Sequence, residues 1–177
     1  MFKKFKSNPE HKATILAMRG VKTESAKVQF DAVMSGISDK DEFIKKLEKS
    51  QLLSICYPAL TGTLEQTSLD FATLTYKKNE LRISNMFDEL SYLGKRFDSK
   101  KLKVVALKNG GLAQFHPDNL GEHPMGDIDL MVSKSNFFEA HQEIIDSGFM
   151  LEFRSDYEEN TIESAFRNGG AEYSKNL

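Results

Sequence analysis

Between residues 64 and 97 apolar side chains return every three or four positions, the spacing of one long helix. Leu69, Ala72, Leu74, Tyr76, Leu81, Ile83, Phe87, Leu90 and Leu93 supply the stripes expected to be buried. Lys77, Lys78, Glu80, Arg82, Asp88 and Glu89 supply the wet face. A shorter helix precedes it. Ser38-Asp39 caps a stretch through Asp41, Phe43, Ile44, Leu47 and Gln51, and Pro58 and Gly62 interrupt or end it.

After Ser99-Lys100 the pattern changes. Leu102, Val104, Val105, Ala106 and Leu107 form a β-branched run that stops at Asn109-Gly110-Gly111, which reads as a buried strand feeding a tight turn. Residues 112–115 suit one or two helical turns, and residues 117–124 form a loop rich in breakers. Residues 127–132 read as a second strand. Ser133 or Ser135 caps a helix carrying Phe137, Phe138, Ala140, Ile144 and Ile145, which Gly148 closes. Phe149, Leu151 and Phe153 alternate with polar residues as a third strand. The expected organisation is α+β: a helical region over residues 1–99, then a core with a small mixed sheet over residues 100–177.

The carboxylates of the second strand carry the chemistry. Successive strand side chains alternate faces, so Asp127 and Asp129 share one face while Ile128 and Leu130 share the other. Two adjacent carboxylates repel unless a cation lies between them. Magnesium fits, because it takes carboxylate oxygen and keeps waters and phosphate oxygens as its remaining ligands. An acidic pair on the wet face of an edge strand is the plainer alternative. The turn upstream adds weight to the metal reading. Gly110 and Gly111 open a helix whose backbone N–H groups suit a phosphate, and Lys108 adds a charged donor. The competing account is an ordinary strand-to-helix turn that needs positive φ.

The segments from Leu107 to Ala113 and from Pro124 to Val132 resemble the central signature of the uncharacterised bacterial nucleotidyltransferase family. Its members show a Leu-Lys-Gly turn, an Arg-Pro-Met-like loop, an Asp-x-Asp-Leu strand and a helix ending in Gly-Phe or Gly-Tyr. Gly148-Phe149 stands at the last position. Asn109 is interposed in the first element, and His123 stands where Arg usually precedes Pro-Met. The resemblance is specific from about Val104 to Phe149 and looser over the helices from about Asp41.

It implies a polymerase-β-like nucleotidyltransferase core that binds a nucleoside triphosphate with magnesium and transfers a nucleotide to an unknown acceptor. On that basis Asp127 and Asp129 hold metal and act in catalysis, while Lys108, Gly110 and Gly111 contact the triphosphate. It also implies a third metal carboxylate on a neighbouring strand. Asp156, Glu158 and Glu159 fall in a loop-like stretch and Glu163 in a helical turn, so Glu172, between Ala171 and Tyr173, is the best candidate. The expectation is a core incomplete at its C-terminus. A non-catalytic nucleotide-binding relative, or a helical protein-interaction module, is the alternative.

Composition narrows the setting. A net charge of -2 excludes nucleic-acid binding driven by the overall field, and no basic and aromatic stripe is present. No apolar run spans a membrane, and the basic start at Met1 lacks the apolar stretch of a signal peptide, so a cytoplasmic location is expected. Cys56, the single cysteine, lies among Leu52, Leu53, Ile55 and Tyr57 and reads as a buried, inert thiol. His116 and His123 read as surface loop histidines and His141 as half-buried on its helix.

Overall fold

The computed structural model describes residues 8–112, 117–123, 125–152 and 161–176. Helices open the chain: α1 (Pro9–Met18), α2 (Glu24–Met34), α3 (Lys40–Lys49), α4 (Leu53–Leu60) and α5 (Gln66–Ser99). Local chemistry sets the first three starts. Asn8, Thr23 and Asp39 each accept a hydrogen bond from a first-turn N–H, at 2.9, 3.2 and 2.8 Å. Gln51, at φ 58°, closes α3 in the left-handed region. Pro58 was expected to interrupt or end that helix, but it lies inside a separate helix, α4.

After α5 come β1 (Val104–Ala106), α6 (Lys108–Leu112), β2 (Leu130–Val132), α7 (Phe137–Asp146), β3 (Met150–Glu152), α8 (Ile162–Arg167) and β4 (Glu172–Ser174). Pro117–Glu122 and Lys134–Asn136 are 3₁₀ turns. The α+β class holds. The small sheet differs in detail from the mixed one expected. Among the described residues it is two separate antiparallel pairs, β1 with β2 and β3 with β4. Val105 faces Met131 in one, and Leu151 faces Tyr173 in the other. Gly148, at φ 87°, closes α7, with its N–H bonded to Ile145 O at 2.9 Å.

The chain divides into two units, residues 1–83 with 116–126, and residues 84–115 with 127–177. The first is built around Phe30, Met34, Phe43, Ile44, Leu47, Leu53, Cys56 and Leu60. Each large side chain buried there contributes roughly 1.5–3 kcal/mol. Burial pushes the Cys56 thiol up to about 11, which leaves it protonated and inert, as expected. The second unit gathers Leu93, Phe97, Leu102, Ala140 and Ile144, with Val104, Leu130, Val132, Phe149 and Tyr173 packed against them. Glu143 is buried there too, held by Arg96 at 2.6 Å and Lys100 at 3.5 Å.

The long helix is found where its spacing placed it, but its buried side is narrower than the sequence suggested. Ala72, Ile83 and Leu93 are buried, whereas Leu74 and Leu81 are 53% and 64% exposed. At 100° per residue each lies two positions, and so about half a turn, from a buried neighbour.

Candidate functional site

The antiparallel register sets Ala106 opposite Leu130, and Leu107 N–H donates to Asp129 O at 2.8 Å, one step beyond the strand. That bond ties down the segment Asp127-Ile128-Asp129. The segment precedes β2 instead of belonging to it, so the expected strand over residues 127–132 is shorter at its start. Asp127 is exposed, and Ile128 and Asp129 are half-buried.

On the opposite strand the chain leaves β1 through Lys108, whose φ of 51° is left-handed. A non-glycine residue there carries a backbone cost on the order of 1 kcal/mol. Lys108 Nζ lies 2.5 Å from Asp129 Oδ2. The hydrogen bond to Asp129 and that carboxylate's charge, with a smaller contribution from Asp127, raise the Lys108 ammonium above its ordinary value. Both carboxylates therefore act on one cation. A cation eases the repulsion within an acidic pair, and Lys108 brings one to Asp129.

The two glycines have a packing role that the sequence left open. A Cβ on Gly110 would stand 2.9 Å from Ile128 Cγ2, and one on Gly111 would stand 2.8 Å from Ala106 O. Their missing side chains let α6 close onto the end of β1 and onto the residue between the two aspartates. Neither glycine has positive φ; that strain falls on Lys108 instead. The helix also begins at Lys108, four residues earlier than expected. Its expected continuation over residues 113–115 lies outside the described residues.

Glu172 is not brought to the pair. It stands in β4 opposite Glu152 of β3, in the other sheet. Among the described residues no third His, Cys, Asp or Glu completes a metal-binding group. Glu163 sits in α8, as its sequence implied, and Asp156, Glu158 and Glu159 lie outside the described residues, as does His116.

A support that the sequence reading missed holds the loop just upstream. Asn79 Nδ2 donates to Gly121 O at 2.8 Å and to His123 O at 3.1 Å. Gly121 lies so close to the Tyr76 ring that an added Cβ would run into Cζ. Tyr76 in turn stacks on Tyr57 at 4.5 Å. Met125 is buried, and two residues later the chain reaches Asp127. The available signal was a polar Asn79 placed between Tyr76 and Ile83 on the inward phase of α5. His123 is half-buried, and its backbone carbonyl makes the contact.

Among the described residues no helix is long and apolar enough to cross a membrane. Residues 38–173 match the model of a family described as uncharacterised nucleotidyltransferase. No curated protein and no solved structure matches the chain.

Proposed function

The chain belongs to this nucleotidyltransferase family, and from that premise we propose that it binds a nucleoside triphosphate with magnesium and transfers a nucleotide to an acceptor. The observation that carries the reading is the charge cluster. Lys108 lies 2.5 Å from Asp129 and also responds to the charge of Asp127. Two neighbouring carboxylates, one of which already pairs with an ammonium, suit a hard divalent cation, which takes one or two protein carboxylates and fills its shell with water and phosphate oxygen. Asp127 and Asp129 would hold it. Magnesium, when bound, supplies positive charge at the phosphates that react. Lys108, released from Asp129, is then free to pair with a phosphate as a point charge. The tight approach at Gly110 and Gly111 keeps α6 against Ile128, the residue between the two aspartates, and against the end of β1. The acceptor is a hydroxyl or other nucleophile of unidentified class. A cytoplasmic setting agrees with a single, buried, protonated thiol.

A melting curve with magnesium-ATP tests the binding. At about a hundred times its dissociation constant a ligand stabilises by roughly 2.7 kcal/mol. The parent is expected to shift by that order, and Asp127→Asn and Asp129→Asn to lose the shift while folding normally. Equal shifts in the parent and both variants would move the site elsewhere.

One observation favours a second reading, nucleotide binding with little transfer. Glu172, the best candidate for a third carboxylate, faces Glu152 in the other sheet. Two carboxylates position a reacting phosphate less well, and small misplacements are costly in rate. Label transfer from radioactive triphosphates to a broad acceptor mixture separates the readings. Robust turnover lost in both Asp127→Asn and Glu172→Gln would reject the binding-only one.

A further inference from the structure

α5 is one hydrogen-bonded helix from Gln66 to Ser99. Its outward side carries Phe71, Leu74, Leu81 and Tyr92, exposed at 42%, 53%, 64% and 47%. Scattered exposed apolar residues need no explanation, but these fall in one row. Steps of four and three run from Leu74 through Lys78, Leu81, Asn85 and Asp88 to Tyr92. That alternation is the spacing of a two-helix coiled-coil seam, over about 27 Å at 1.5 Å per residue, here apolar at Leu74, Leu81 and Tyr92 and polar at Lys78, Asn85 and Asp88.

The charges in the row select both the occupant and its direction. A second copy lying parallel and in register would set Lys78 against the partner's Lys78 and Asp88 against the partner's Asp88, two like-charge layers. A second copy lying antiparallel, about a two-fold axis at the level of Ile83, reverses this. Leu74 then meets the partner's Tyr92, Lys78 meets the partner's Asp88, and Leu81 meets the partner's Asn85. Symmetry makes every layer twice. Each layer also joins the two alternating position types of the seam, as antiparallel packing requires.

We propose that the outward face of α5 is the contact surface of a two-fold antiparallel dimer of this chain. Lys78 and Asp88 set the direction, and Asn85 fixes the register at some cost in stability. Arg82 faces the partner's Arg82 across the axis, a like-charge flank that adds to the weakness of the pair. With four apolar side chains from each copy, the dissociation constant falls on the order of 1–100 µM. The proposal is independent of the nucleotide site.

Sedimentation velocity on the full chain, from low micromolar to several hundred micromolar, tests it. The expected result is a monomer–dimer equilibrium. Lys78→Glu and Asp88→Lys are both surface changes that leave the melting curve in place. Each should weaken association by roughly tenfold or more, and the double variant should restore it. Leu81→Glu should abolish it. A chain monomeric over the whole range overturns the proposal. So do single charge variants that associate like the parent, because a parallel or unrelated contact would not register the exchange.

Discussion

The first unit buries Phe30, Met34, Leu53 and Leu60 almost completely, in a cluster with no charged member. The second has a smaller apolar cluster and buries a charge, Glu143, in the same unit. Glu143 is buried against Arg96 and Lys100, Lys175 pairs with Glu89 at 2.7 Å, and His141 bonds Tyr173 at 2.9 Å. Apolar burial is non-directional and stabilises roughly by area, whereas ion pairs and hydrogen bonds fix geometry and add modestly to stability. The division matches the placement of the candidate site. Lys108, Asp127 and Asp129 lie in the unit that also buries a charge, Glu143.

Three measurements probe that contrast, and the largest effect is expected in the first unit. Phe30→Ala should destabilise it by about 4 kcal/mol, the usual range for deleting a buried phenylalanine. Cys56, the only cysteine and fully buried in that core, reports the loss directly. Its labelling by a thiol reagent should accelerate by about two to three orders of magnitude, given tenfold for every ~1.4 kcal/mol. Ile144→Ala in the second unit should leave the labelling rate nearly unchanged. Equal acceleration by both variants would show that the units open together, and the contrast would fail.

A smaller effect is expected at the turn beside the aspartates. Gly111→Ala places a methyl against the Ala106 carbonyl, a backbone neighbour that cannot swing aside. The strain should cost about 1–3 kcal/mol. Hydrogen exchange should quicken in β1 and α6, with Cys56 labelling unaltered. Unchanged exchange in a folded variant would mean that the turn does not need its close approach.

The smallest effect is a pH dependence confined to the second unit. Burial pushes the His141 ring below the ordinary 6.5, against a smaller upward pull from Glu163. Burial also pushes the Tyr173 hydroxyl up to about 12, so this partner stays neutral. As pH falls, the unfolded chain takes up the histidine proton before the folded chain does. The His141 contribution is therefore complete above pH 6.5 and drains as pH drops through the lower folded value. Exchange in α7 and β4 should quicken over that window in the parent. His141→Gln should flatten the change, and an equal slope in the variant would assign it to another group.

Much of this was legible in the sequence where one residue type has one local use. Asp39 as a cap, Gly148 as a stop and the length of α5 follow from short-range chemistry, and so does the α+β order. The signature around Asp127 and Asp129 was legible as a family pattern. Leu74 and Leu81 were not, because their identity says apolar while only helical phase says which side they face. The role of Gly110 and Gly111 was also hidden. It depends on Ile128 and Ala106, which approach them only once the turn has formed. Asn79 was overlooked because its partners, Gly121 and His123, lie more than forty residues away in sequence. Lys108 was assigned to phosphate without sight of Asp129, a neighbour that the β1–β2 register creates.

The first unit is assembled from two stretches of chain, residues 1–83 and 116–126, with β1 and α6 encoded between them. No single cut can therefore separate the two units. A gene fragment ending near residue 99 would deliver the helices with the Asn79 Nδ2 group without its two carbonyl acceptors and the Tyr76 ring without Gly121 against it. On the ribosome the same order applies: the first unit stays unfinished until synthesis has passed Gly126. By then β1 and α6 have already been made, so the last strap of the helical part and the first aspartate of the acidic pair emerge one after the other.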